Sequence, residues 1–307
     1  MGGIDFNPDR DIPSLEDKVI LITGGNIGLG RQSALALSKH NPSQLWLAAR
    51  NVQKTEKTIA DIQKQAPGVA VHFLELDLGS FDSVKKAAKT FLSSVTRLDL
   101  LFLNAGIMAV PAGVTREGYE IQFGTNHMGH ALLLKFLVPL LVDTATKLSS
   151  TSNVRVVVLS SLAHKYTVSG GIDFNTLKNQ AEVVSTVDRY GQSKLANGLY
   201  AREMSKRYPQ FTIVSVHPGA VKTDLNKSNG GSTMLRLFQA LVLPFIGVTP
   251  EEGAKCQLWA ATATNVISGE YYEPIGVLGK GSPLMKNDEL GRKLWEWTEK
   301  ELERHVV

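Results

Sequence analysis

Tyr190 and Lys194 stand four residues apart in the run "DRYGQSKLANGLY", whose pattern predicts a helix over Asp188 to Tyr208. That spacing puts both side chains on one helix face. A phenol with a pKa of about 10 is a poor base at neutral pH, but an adjoining ammonium favours the phenolate, so the pair is a candidate acid/base for a substrate hydroxyl. Ser161 closes the apolar run "VRVVVLSS", a strand-end position from which its hydroxyl could bond a substrate oxygen as charge develops. Nearer the N-terminus, "ILITGGNIGLG" sets Gly24, Gly28 and Gly30 between a strand-like run and a helical pattern. Helix N-termini carry unpaired N–H groups, and glycines let a phosphate approach them. The spacing is TGxxxGxG, not the GxGxxG form. Arg50 ends the next apolar run, 20 positions beyond Gly30, with no carboxylate before Glu56. An acid there would bond a ribose 2′-hydroxyl, whereas an arginine accommodates a 2′-phosphate, so a 2′-phosphorylated dinucleotide is expected, with Arg31 reinforcing the same phosphate.

These groups need a scaffold, and the chain supplies one by repetition. Strand-length apolar runs ("KVILIT", "QLWLAA", "VAVHFLEL", "LDLLFLN") alternate with helical patterns over Leu29 to His40, Val52 to Ala66 and Ser80 to Val95. A helix over Tyr119 to Leu141, the strand "VRVVVLSS", the helix carrying Tyr190 and the strand "FTIVSVHPG" continue the series. Strand–helix alternation with near-continuous Val, Ile and Leu means a mostly parallel, doubly wound α/β sheet with helices on both faces and a ligand crevice at the strands' C-terminal ends. Thr249, Pro250 and Glu252 read as N-cap, first-turn proline and capping-box partner of a later helix. "GEYYEPIGVLG" reads as a further strand, and Lys286 to Val307 as an outer amphipathic helix.

With those elements in order, the residues resemble the short-chain dehydrogenase/reductase family over nearly the whole chain. "TGGNIGLG" looks like its cofactor glycine motif, "LDL" (Leu76 to Leu78) like its adenine-contacting strand end and "NAG" (Asn104 to Gly106) like its sheet-stabilising turn. "TNHMGH", "VVVLSS", "YGQSK" and "HPGAVKTD" follow in the family's order. The resemblance implies a Rossmann-type single domain over 1–307, with a core over 17–224, a substrate lid over 225–250 and a closing helix–strand–helix over 251–307. It implies catalysis by Asn126, Ser161, Tyr190 and Lys194, with Ser161 preferred to Ser160 because the family motif ends on the second serine. Asn126 would hold a water that relays protons beyond Lys194, and Lys194 would bond the nicotinamide ribose. The NADP(H) cofactor would be held by Gly24, Asn26, Ile27, Gly28, Leu29, Gly30, Arg50, Asp77, Leu78, Asn104, Ala105, Gly106, Tyr190, Lys194, Pro218, Gly219, Val221 and Thr223. Ser161 and Tyr190 lie 29 positions apart, wider than in most members, and the insert between them resembles the branch of retinol dehydrogenases and the WW-domain oxidoreductase. That branch prefers bulky apolar alcohols and carbonyls, which makes an apolar hydroxyl/carbonyl oxidoreductase the expected activity and a non-catalytic dinucleotide sensor or scaffold the rival.

Composition narrows the partners. A net charge of +4 is spread among 29 acids with no basic run, so nucleic acid is not expected. One cysteine, Cys256, excludes an internal disulfide and suits a reducing, cytoplasmic setting. No Cys or His cluster has zinc-ligand spacing, so no metal is expected. The N-terminal run is polar and reads as neither signal nor anchor. The apolar stretch 234–248, after a hinge at Gly230 and Gly231, reads as the lid, with peripheral membrane association as the alternative. By resemblance, a homodimer would form across the helices at Tyr119 to Leu141 and Asp188 to Tyr208.

Overall fold

Strands made almost wholly of Val, Ile and Leu must be covered on both faces, and the computed structural model builds them so. It describes residues 3–147, 154–222 and 247–306. The strands are β1 (Val19–Thr23), β2 (Gln44–Ala49), β3 (Ala70–Glu75), β4 (Leu100–Leu103), β5 (Arg155–Leu159), β6 (Thr212–Val216) and β7 (Tyr271–Tyr272). They form one sheet in the order β3-β2-β1-β4-β5-β6-β7. Every neighbouring pair is parallel. The chain winds outward from β1 to β3, then crosses back to lay β4 beside β1. A crevice therefore opens at the C-terminal ends of β1 and β4, where the winding reverses.

Alternate strand residues feed two cores, as the two-residue period requires. Leu21, Leu101 and Val156 join one cluster, whereas Ile20, Ile22, Phe102 and Val157 join the other. The helices are α1 (Pro8–Asp11), α2 (Gly28–Ser38), α3 (Val52–Gln65), α4 (Phe81–Ser94), α5 (Ile121–Phe123), α6 (Gly129–Lys147), α7 (Thr186–Arg207), α8 (Pro250–Thr262) and α9 (Asp288–Leu302). The expected capping of α8 is present: Thr249 Oγ1 accepts from the Glu252 amide at 3.3 Å. The strand read in "GEYYEPIGVLG" shrinks to the two residues of β7. Pro274, which follows closely, has no N–H to extend a ladder.

Two features bear on the site. Between α5 and α6 the helix widens into a π turn over Gly124–Met128, which the helical period of the sequence did not reveal. Ile121–Lys147 as a whole is long and apolar enough to cross a membrane, but 72% of its most apolar window is buried inside the protein. Helix α9 lies across the outer side of α6 and α7. Glu299 accepts from Tyr200 Oη at 3.1 Å and pairs with Lys135 at 3.6 Å, while Trp295 stacks on Tyr200. The helix faces expected to meet a second copy are thus covered, over that patch, by the chain itself.

Candidate active site

Each candidate side chain is placed by the end of a strand or one turn of a helix. Thr23, the last residue of β1, is fully buried and ties that strand to the turn after β4: its Oγ1 accepts from the Asn104 amide at 2.9 Å and the Ala105 amide at 3.0 Å. Beyond Thr23 the chain turns at Gly24 (φ +68°) and Gly28 (φ +53°), conformations that glycine adopts without a Cβ penalty. Gly30 does not line the cavity. It lies beneath the turn, where a Cβ would overlap the Gly24 carbonyl oxygen and come within 2.6 Å of Asn104 Nδ2. Ile27, the N-cap of α2, makes no side-chain cap, and the first turn carries no acid.

Above these strand ends lies a cavity of about 1000 Å³. Asn26, Gly28, Arg50, Asp77 and Leu78 line it towards β2 and β3; Asn104, Ala105, Gly106, Pro218, Gly219 and Val221 line it towards β4 and β6. Ser161, Tyr190 and Lys194 reach the same cavity, with Ile107, Met108, Ala109, Leu162, Tyr166 and Val187 nearby on its wall. Thr223, Gly230, Gly231 and most of the expected lid lie outside the described residues; Val221 and Val248, on either side of them, form a parallel bridge.

Tyr190 and Lys194 share a face of α7 as their spacing requires, Lys194 Nζ standing 5.6 Å from the centre of the Tyr190 ring. Lys194 Nζ donates to the Leu159 carbonyl at 2.9 Å, anchoring α7 to the end of β5. Ser161 stands beside the Tyr190 hydroxyl on the cavity wall, and its Oγ accepts from the Ala163 amide at 3.1 Å. Ser160, also on the cavity wall, is engaged otherwise: its Oγ donates to the Lys194 carbonyl at 2.8 Å. Gly191 lets this packing occur, because a Cβ there would overlap the Tyr166 carbonyl.

Two expectations change, for Tyr190 and Arg31, and the place of Asn126 becomes defined. The lysine does not make the phenol acidic in the folded chain: burial pushes Tyr190 up to about 12, neighbouring Ser161 only partly opposing it, and pushes Lys194 down to about 8. Desolvation disfavours the charged form of each and is the largest cause at both. Asn126 is fully buried behind the cavity wall, and its side chain is occupied. Its Oδ1 accepts from the Ile107 amide at 2.8 Å, and its Nδ2 donates to the Ile107 carbonyl and Ser193 Oγ, both at 2.9 Å. An amide so engaged orients the wall behind Lys194, and since both Nδ2 hydrogens are used, the expected relay water would have to donate to an oxygen of Asn126. Arg31 does not face the cavity: it pairs with Asp61 of α3 at 2.7 Å. Lys54, unnoticed in the sequence, does line it beside Arg50 and has no carboxylate partner among the described residues. The signal for it was a cation in the first turn of the helix after Arg50.

The model of the short-chain dehydrogenase family matches residues 18–232. The chain belongs to the short-chain dehydrogenase/reductase family. It is 36% identical over 297 residues to a short-chain dehydrogenase/reductase of Armillaria gallica, covering 94% of this chain and 92% of that protein. It is 34% identical over 289 residues to human retinol dehydrogenase 13, covering 92% and 83%. In three dimensions it resembles an uncharacterized protein from Mycobacterium paratuberculosis with a TM-score of 0.71 and 29% identity, over 94% of this chain and 95% of that one. The resemblance to the retinol dehydrogenase branch read from the sequence therefore holds.

Members of this oxidoreductase family bind a nicotinamide dinucleotide. The residues here fit one. The first turn of α2 offers uncapped N–H groups to a pyrophosphate, and the glycine turn leaves the room that side chains would fill.

Proposed function

We propose that this protein is an NADP(H)-dependent oxidoreductase that interconverts a hydroxyl and a carbonyl on an apolar small molecule, with Tyr190 as general acid/base. One observation carries the reading: the Tyr190–Ser161 pair and Lys194 line the same cavity as the glycine turn and Arg50.

Bound in that cavity, a nicotinamide ring supplies or accepts the hydride; the chain's own residues handle the oxygen and its proton. Ser161 bonds the substrate oxygen and holds it next to the Tyr190 hydroxyl. Tyr190, kept protonated at neutral pH by burial, donates its proton as an alkoxide develops, and takes one back in the reverse direction. Lys194, fixed by the Leu159 carbonyl, places a positive charge that stabilises the phenolate after that transfer. Arg50 and Lys54 suit a 2′-phosphate at the far end. The substrate is expected to be apolar, because Ile107, Met108, Ala109, Leu162 and Val187 surround the reacting end. Cys256, a buried free thiol, is compatible with the cytoplasmic setting expected from the sequence. A non-catalytic sensor is not favoured, since it has no use for a paired phenol and ammonium.

Tyr190→Phe tests the proposal. Turnover of NADPH with a panel of apolar ketones and aldehydes should fall by about 10²-fold or more, the usual contribution of a proton donor, while NADPH binding followed by fluorescence stays within about twofold. Undiminished turnover would remove Tyr190 from the chemistry.

A further inference from the structure

Asn126, His127 and His130 are polar side chains buried in the largely apolar helical stretch that begins at Ile121. His127 bonds Thr298 of α9 and belongs to the packing of that helix. His130 points towards β1 instead. Its Nε2 lies 2.9 Å from Thr23 Oγ1, and its Nδ1 lies 3.0 Å from the main-chain carbonyl of Asn126.

Counting donors and acceptors fixes the state of the ring. A carbonyl only accepts, so Nδ1 must carry a proton. Thr23 Oγ1 already accepts from two amides, those of Asn104 and Ala105, leaving its own proton to give; Nε2 is the nearest acceptor, and the Phe102 carbonyl at 3.2 Å is a second. An imidazolium would instead point a second N–H at an oxygen whose lone pairs are taken. Burial, aided by the positive charge of Lys194, pushes His130 down to about 4, in keeping with a neutral ring.

We propose that His130 is a positioning residue, whose Nδ1–H holds the Asn126 carbonyl and thereby locks the π turn beneath the reacting groups. The connection to Tyr190 is continuous. Asn126 Nδ2 donates to Ser193 Oγ at 2.9 Å, and Ser193 Oγ donates to the Tyr190 carbonyl at 2.7 Å. The same Asn126 amide holds both main-chain groups of Ile107, next to Gly106, and a Cβ on Gly106 would lie 3.5 Å from Lys194 Nζ. Releasing the carbonyl loosens the floor on which Tyr190 and Lys194 are set.

The inference rests on the proposed function only for its kinetic arm. Asparagine places an amide N–H near the Nδ1 position and keeps the bond to Asn126. Glutamine reaches only the Nε2 position, and leucine reaches neither. His130→Asn should keep kcat within about twofold, whereas His130→Gln and His130→Leu should each lower it about tenfold, the effect of one buried bond lost, with KM and NADPH affinity unchanged. The wild-type protein supplies a readout independent of folding in the variants and of substrate. Long-range ¹H–¹⁵N correlation of the histidine ring should show His130 neutral and protonated on Nδ1 at pH 7, with and without NADPH. An Nε2–H tautomer or an imidazolium overturns the inference, as does His130→Asn falling as far as His130→Gln. Absence of wild-type turnover on every carbonyl tried would count against the proposed function, leaving the tautomer measurement to decide the role of His130.

Discussion

Replacing Arg50 by alanine tests which dinucleotide the cavity prefers, and the structure sets the size of the effect. Arg50 follows β2, lines the cavity and keeps 68% of its side chain exposed. Its attraction for a 2′-phosphate is therefore closer to the water limit of about 1 kcal/mol at 4 Å than to the value of about 4 kcal/mol for a partly shielded pair. Charge-assisted hydrogen bonds bring the contact to about 1.5–2 kcal/mol, or roughly 10- to 30-fold in NADPH affinity. Two neighbours modify that figure in opposite senses. Asp77 Oδ1 lies 4.0 Å from Arg50, and once the arginine is gone its carboxylate repels the phosphate. Lys54 remains in the cavity and attracts it. Lys54→Ala alone should cost about 1 kcal/mol, and the double variant should lose about 100-fold, provided that the two cations act independently.

Fluorescence titration with NADPH and NADH, at low and near-physiological ionic strength, measures this directly. NADPH should weaken in every variant and NADH should not, and the salt dependence of NADPH binding should flatten as each cation is removed. Equal weakening of both cofactors would mean that Arg50 supports the fold of the β2 end and does not read the phosphate. No change in either would refute the electrostatic argument.

Gly30→Ala should lower thermal stability by about 1–3 kcal/mol and weaken either cofactor, because its Cβ would meet backbone at Gly24 that cannot move without closing the turn; a variant that melts and binds like the wild type would show the turn to be adaptable. Stability should also fall with acid. Burial pushes His127 down to about 3 and His130 to about 4, whereas an unfolded histidine titrates near 6.5. Below pH 6.5 the unfolded chain thus binds more protons, and the stability present above that pH is lost as pH falls towards 4, by about 2 kcal/mol per residue at pH 5. Urea unfolding at pH 7 and pH 5 checks this, an unchanged midpoint being the contrary result.

Much of this architecture is legible in the sequence because strand runs report burial directly. "QLWLAA" is β2 residue for residue, and the parallel order follows from having helices between such runs. Thr249, Pro250 and Glu252 mark the start of α8 because capping is a local hydrogen-bond problem, solved within four residues. The same locality explains why most expected cofactor contacts line one cavity: strand ends and the turns after them are fixed by short stretches of chain. Arg31 shows where the reasoning stops. Its neighbour Gly30 belongs to the glycine motif, yet rotation about α2 aims the guanidinium at Asp61 of the next helix, and no short-range pattern reports which carboxylate a long side chain will find.

The chemistry of Tyr190 was harder to read for a related reason. Spacing tells that an ammonium stands near a phenol, but the balance between their attraction and the cost of burying each depends on every element that covers them. In the folded chain burial prevails, so that the phenol rests protonated and Lys194 is pushed down to about 8. The π turn follows the same logic. One extra residue in a helical turn leaves the apolar period nearly intact, so only the polar side chains inside that helix betray it. Asn126 and His130 in an apolar run are costly unless each finds a partner, and their partners lie on β1, after β4 and on α7. A buried polar residue whose partners cannot be found nearby in sequence therefore marks where distant parts of the chain must meet, and here they meet directly behind the candidate acid/base.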